Sequence, residues 1–159
     1  MPSGGEIDPW PIPARLKGHR RWYLPVLRRH APGHLWFARY RPGARLRPNR
    51  FGIPEPSRRK RQVIPAHGLD LVIVPLVGFD SRCHRIGMGG GYYDRSFAFL
   101  RARRCWWRPR LIGLAHECQR VAEIEPQPWD IPLDAVITEQ AIYRRFTRPD
   151  DRATDAART

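Results

Sequence analysis

Residues 85–95 read Arg-Ile-Gly-Met-Gly-Gly-Gly-Tyr-Tyr-Asp-Arg, and they constrain the fold more than any other stretch of the chain. Gly87, Gly89, Gly90 and Gly91 strip side chains from a loop that follows an apolar run over 69–75 and precedes a helical pattern from Tyr92. A strand, a glycine-rich loop and a helix start, in that order, are how α/β proteins hold phosphate. Without Cβ atoms the backbone approaches an anion closely and turns its N–H groups toward it. Arg85 and Arg95 flank the loop with permanent positive charge, and Asp94 at its far end offers carboxylate oxygens to a hard cation such as Mg²⁺.

The flanking pattern agrees. It predicts strands over 21–27, 35–40, 69–75, 110–115 and 134–138, and a short helix opened by Pro11 and Pro13. A longer helix is predicted over 92–104, with Tyr93, Phe97 and Leu100 on one face, and a closing helical turn over 139–145. Residues 41–68, rich in Pro, Gly and Arg, read as a long ordered loop anchored by the apolar side chains of Phe51-Gly52-Ile53-Pro54-Glu55-Pro56. The near-continuous apolar run 69–75 suits a parallel sheet covered on both faces. The expected fold is therefore α/β, a three-layer, mostly parallel sheet with helices on both faces, in one domain over residues 1–146. The polar tail 147–159 is expected to be disordered.

Composition narrows the function. No apolar run approaches the ~18–20 residues that span a bilayer, and the N-terminus lacks a basic region followed by an apolar one, so no membrane partner and a cytoplasmic location are expected. Cys83, Cys105 and Cys118 have no metal-ligand spacing. The net charge of +14 comes from 29 basic and 15 acidic residues, and Lys17 and Lys60 are the only lysines. Such arginine bias reads as codon usage more than as a nucleic-acid groove. The run Ser57-Arg58-Arg59-Lys60-Arg61 reads as a solvated loop, with a basic RNA-binding module as the alternative. His84 and His116 read as satisfied or surface histidines.

Several motifs in fixed order carry a resemblance. They are Gly5-Glu6-Ile7-Asp8, Tyr23-Leu24-Pro25, Phe51 to Pro56 as quoted, 70–75, Gly78-Phe79-Asp80, 85–95, Ile112-Gly113-Leu114-Ala115 with Gln119, Asp130-Ile131-Pro132-Leu133-Asp134 and Ile137-Thr138-Glu139. No Gly-Lys-Ser/Thr follows the glycines, which excludes a P-loop. The chain resembles the 5-formyltetrahydrofolate cyclo-ligases, also called methenyltetrahydrofolate synthetases. The resemblance implies ATP-dependent closure of 5-formyltetrahydrofolate to 5,10-methenyltetrahydrofolate, with ADP and phosphate released; a monomer is expected. It implies attack of the formyl oxygen on the γ-phosphate, ring closure on the phosphorylated imine, and loss of phosphate.

The roles it implies are residue-specific. Arg85, Ile86, Gly87, Met88, Gly89, Gly90, Gly91, Tyr92 and Tyr93 would cradle the ATP phosphates, with Arg85 and Tyr92 closest to the chemistry. Asp94 and Asp130 would hold Mg²⁺, and Glu6, Phe51 and Tyr92 would touch the folate. Structural readings stand beside these: Asp94 complementing a helix dipole, Asp130 capping the turn at Ile131-Pro132, Glu6 as a loop carboxylate and Phe51 as a loop anchor. The family pattern also has, upstream, a helix with a Lys and an Arg that contact ATP, and a central strand. The expectation is that the natural chain starts further upstream; the alternative is a truncated, catalytically weak folate- or nucleotide-binding protein. Met88 and Trp129 stand where relatives carry a basic or aromatic residue and a histidine.

Overall fold

The computed structural model describes residues 7–16, 20–27, 32–41, 43–49, 52, 54–56, 63–102 and 108–145. Glu6, Phe51, Ile53, Cys105, the basic run 57–61 and the tail 147–159 lie outside the described residues.

Helix α1 (Pro11–Arg15) opens on a proline, whose fixed φ suits a first turn and whose missing N–H would have had no helical partner there. It docks through Trp10, edge-on to Tyr40 with ring centroids 5.3 Å apart. Strands β1 (Trp22–Leu27) and β2 (Leu35–Tyr40) form an antiparallel pair from Trp22↔Tyr40 to Leu27↔Leu35. Pro25 lies within β1, which is the edge of its sheet, where a missing N–H breaks no ladder. The stretch expected as a loop carries β3 (Arg47–Pro48), β4 (Pro54–Glu55) and β5 (Val63–Ile64), with β5 returning to pair with β2. A buried carboxylate pins it: Glu55 accepts from the Leu27 N–H (3.2 Å) and from Asn49 Nδ2 (2.8 Å).

The second half builds the sheet that positions the site. In chain order come β6 (Leu71–Val74), β7 (Gly78–Phe79), β8 (Arg85–Ile86), α2 (Tyr92–Ser96), β9 (Arg110–Leu114), β10 (Ala135–Ile137) and β11 (Ile142–Arg144). Strands β6, β9 and β10 run parallel, and β11 adds antiparallel, in the order β11-β10-β9-β6. Val72, Val74, Leu111 and Val136 turn one face onto Leu76, Phe79, Phe97 and Leu133, all buried.

Several expectations need correction. The run 69–75 is not covered on both faces: burial alternates along β6, and Leu71 is 56% exposed. The predicted helix 92–104 stops after α2. Phe97 leaves helical geometry at φ −107°, ψ 12° and sinks its ring into the core, and a 3₁₀ turn follows over Ala98–Ala102. Burying a ring of that size contributes about 1.5–3 kcal/mol, more than one further helical turn would. The predicted helical turn over 139–145 is instead β11. Thr138 and Ala141 close a tight hairpin, with the Thr138 N–H bonding the Ala141 carbonyl at 2.9 Å, and Ile137 faces Ile142. Among the described residues the architecture is mixed sheets with few helices; α1 and α2 have 5 residues each.

Candidate active site

The hairpin β7–β8 lies just beyond the carboxyl end of β6, where open α/β sheets place ligands. Asp80 builds its turn. Its Oδ1 accepts from the N–H groups of Arg82 (3.0 Å) and His84 (2.9 Å), and its Oδ2 pairs with His84 Nδ1 (2.9 Å) and accepts from the Ile124 N–H (3.2 Å). Burial alone would push the Asp80 carboxyl up. The hydrogen bonds from His84 and Ile124, with the charge of His84, outweigh it and hold the group below its usual 3.8. Cys83, in the same turn at φ 66°, is buried, and desolvation pushes its thiol up to about 11.

The glycine loop that follows is open. Gly87, Met88, Gly89 and Gly90 are exposed, and a side chain built on Gly87 or Gly89 would meet nothing within 4 Å. At Gly90 the Tyr92 ring would lie 2.9 Å from an added Cβ, and Gly91 has φ +59°, left-handed geometry that disfavours any side chain. Tyr93 stacks on Phe97 (6.2 Å, 16°), so it packs inward, while Tyr92 lies under the Arg95 guanidinium at 5.6 Å.

Asp94 and Arg85 form a clasp at the base of the loop. Their side chains are 18% and 7% exposed. Arg85 Nη2 donates to Asp94 Oδ1 (2.7 Å), Arg85 Nη1 donates to the Ile131 carbonyl (2.5 Å), and the Ile131 N–H donates to the same Asp94 Oδ1 (3.1 Å). The glycine loop is thereby tied to the 126–132 segment. A cavity of about 230 Å³ opens beside the clasp, lined by His84, Arg85, Gln127, Asp130, Ile131 and Arg145 among others. Asp130 caps its turn, Oδ2 accepting from the Gln127 N–H at 2.8 Å. Asp94 Oδ2 and Asp130 Oδ1 have no hydrogen-bond partner among the described residues. Two carboxylates with one oxygen each to spare are a donor set that suits a hard cation completed by phosphate oxygens and water, so the residues fit Mg²⁺. Among the described residues no group of three or more His, Cys, Asp or Glu side chains is arranged for a metal.

Arg85, Tyr92 and Asp94 thus meet around the loop, and Asp130 joins them through Ile131, whereas Glu6 and Phe51 lie outside the described residues. The sequence reading missed the Asp80–His84 pair. Its one signal is an aspartate opening a short polar stretch, the residue type that bonds backbone N–H groups two or more positions on.

These features define an α/β protein with an exposed glycine loop whose base is clasped by Arg85 and Asp94. Comparison with known proteins specifies it further. Residues 8–139 match the model of the 5-formyltetrahydrofolate cyclo-ligase family, and the chain belongs to that family. The 5-formyltetrahydrofolate cyclo-ligase of Escherichia coli K12 is 40% identical over 142 residues, 87% of this chain and 75% of that protein. That of Haemophilus influenzae is 41% identical over 113 residues, 70% of this chain and 57% of that protein. Among solved structures, Aquifex aeolicus 5,10-methenyltetrahydrofolate synthetase superposes with a TM-score of 0.72 at 27% identity, covering 93% of this chain and 70% of that one.

Proposed function

We infer that this chain closes 5-formyltetrahydrofolate to 5,10-methenyltetrahydrofolate at the expense of ATP, releasing ADP and phosphate. The observation that carries the reading is the open glycine loop over 87–91, clasped by Arg85 and Asp94, in a chain of the cyclo-ligase family. The ATP phosphates lie along the backbone from Arg85 to Tyr93, and the folate borders Met88 to Tyr92, with Glu6 and Phe51 as further contacts. Tyr92 and the loop amides hold the γ-phosphoryl group in line with the formyl oxygen, so catalysis is positioning and charge neutralisation. Asp94 and Asp130 would hold Mg²⁺, which when bound offsets the phosphate charge. Arg85 acts from beneath: its guanidinium is committed to Asp94 and Ile131, so it fixes the loop's base and adds positive potential from there. A monomeric state and a cytoplasmic location belong to the same reading. Among the described residues no helix is long and apolar enough to cross a membrane.

The test is direct. The chain is mixed with 5-formyltetrahydrofolate, ATP and Mg²⁺, and the methenyl product is followed by absorbance. Product that depends on all three is the expected result, with the rate abolished by chelation of the metal. Absence of product with folded protein would falsify the assignment.

A further inference from the structure

Arg95 closes the glycine motif, where its charge reads as a phosphate contact. The structure turns that charge elsewhere. Nη2 donates to the Gly90 carbonyl at 2.5 Å, Nε donates to the Gly33 carbonyl at 3.1 Å, and the guanidinium lies 5.6 Å over the Tyr92 ring. Gly33 belongs to the turn between β1 and β2, 62 residues away in sequence. Two glycines are moulded around this one group. A Cβ on Gly33, at φ +83°, would sit 2.3 Å from Nε, and one on Gly91 would sit 2.7 Å from Nη1.

We propose that Arg95 is a positioning residue: a strut from the β1–β2 turn that sets which face of the glycine loop carries its N–H donors, and so tunes affinity for the triphosphate. In a planar trans peptide the C=O and the next N–H point in opposite directions. Drawing the Gly90 carbonyl onto Arg95 therefore turns the Gly91 N–H away from Arg95, and that N–H has no partner among the described residues. Arg95 is exposed, so its bonds add little to global stability. Their effect falls on the direction of one peptide in a loop that has no side chains of its own to fix it. The inference rests on the anion-loop reading above.

The experiment measures KM for ATP, KM for 5-formyltetrahydrofolate, kcat, and ADP affinity by calorimetry, in the intact chain and in Arg95→Met, Arg95→Lys and Gly33→Ala. Arg95→Met is expected to raise KM for ATP and weaken ADP binding about tenfold, the factor one hydrogen bond to a charged ligand is worth. KM for the folate should rise less than KM for ATP, and the melting temperature should barely move. Arg95→Lys, which keeps the charge but not the planar fork that reaches both carbonyls, should recover part of the loss. Gly33→Ala should reproduce the effect from a position remote from the ligand, and the double variant with Arg95→Met should be no worse than Arg95→Met alone. An unchanged KM for ATP in Arg95→Met, additive effects in the double variant, or an equal rise in both KM values would each overturn the strut. If the unaltered chain itself fails to bind ADP, the anion-loop reading falls and takes the strut with it; if it binds and the variants match it, the strut alone fails.

Discussion

At the scale of single residues, Asp94 uses its two oxygens differently. Oδ1 receives Arg85 Nη2 and the Ile131 N–H, while Oδ2 has no hydrogen-bond partner among the described residues. The pair is shielded, with side chains 18% and 7% exposed, so the charge on Asp94 offsets an Arg85 cation that water reaches poorly. Asp94→Asn keeps an acceptor of the same shape and removes the charge. We expect it to lower stability by about 1–3 kcal/mol, the cost of weakening a charged hydrogen bond that stays geometrically intact. We expect Asp94→Ala to cost about 3–5 kcal/mol, because Arg85 is then left unpaired. Urea unfolding measures both, and a midpoint for Asp94→Asn equal to that of the parent would show that the clasp stabilises nothing. A second readout is separate: the Mg²⁺ concentration needed for half-maximal turnover should rise in Asp94→Asn. The sequence marked Asp94 as a carboxylate at the end of an anion loop. It could not show that Arg85, nine positions earlier, meets it, because that contact depends on the path the glycine loop takes between β8 and α2.

At the scale of elements, β11 is held by one carboxylate at the carboxyl end of β9. Glu117 accepts from Tyr143 Oη at 2.5 Å and from Thr138 Oγ1 at 2.8 Å, and pairs with Arg120 Nε at 2.9 Å. The hydrogen bonds from Tyr143 and then Thr138 hold the Glu117 carboxyl below its usual 4.5, and the bond to Glu117 raises the Tyr143 phenol above its usual 10.0. A carboxyl lowered on folding stabilises the fold above 4.5 and loses that contribution as pH falls through its lower folded value. A phenol raised on folding contributes fully below 10.0 and is lost as pH rises through its higher folded value. Tyr143→Phe should therefore shrink the loss of stability on both the acid and the alkaline side, read as urea midpoints across pH; profiles that overlay those of the parent would count against the tether. The same element shows where sequence reading ran out. Residues 139–145 contain Glu, Gln, Ala and Arg, good helix formers, and local preference favours a helical turn. Pairing with β10 and the Thr138 hairpin override it. Strands β6, β9 and β10 were legible because their apolar, β-branched runs need no distant partner to be recognised. Helix α2 was overextended because a helical pattern does not reveal that Phe97 gains more by entering the core than by continuing the turn.

At the scale of the whole molecule, the expectation of a sheet covered on both faces rested on how apolar its strands are, yet Leu71 and Ile142 are each 56% exposed. Apolar strand composition marks a strand as able to be buried and says nothing of what lies against it. Net charge is the other global property, and its consequence is kinetic. With 29 basic against 15 acidic residues the chain carries +14, and its arginines are spread through both halves of the sequence. A field of that sign acts on any polyanion before contact, raising the capture rate of ATP without altering the bound geometry. The Debye length falls from about 14 Å at ~50 mM salt to about 4 Å at ~500 mM, so the long-range part of that attraction disappears while the short hydrogen bonds of the glycine loop survive. KM for ATP should therefore rise several-fold across that range, and kcat should change little. The effect should be weaker for KM of the folate, which carries less negative charge than a triphosphate. Steady-state kinetics at fixed Mg²⁺, with salt varied and protein concentration held constant, checks it. A KM for ATP that does not respond to salt would mean that the arginines are too dispersed to steer the nucleotide and that recognition begins only at the loop. A fall in kcat with KM unchanged would place the salt effect on the clasp rather than on capture.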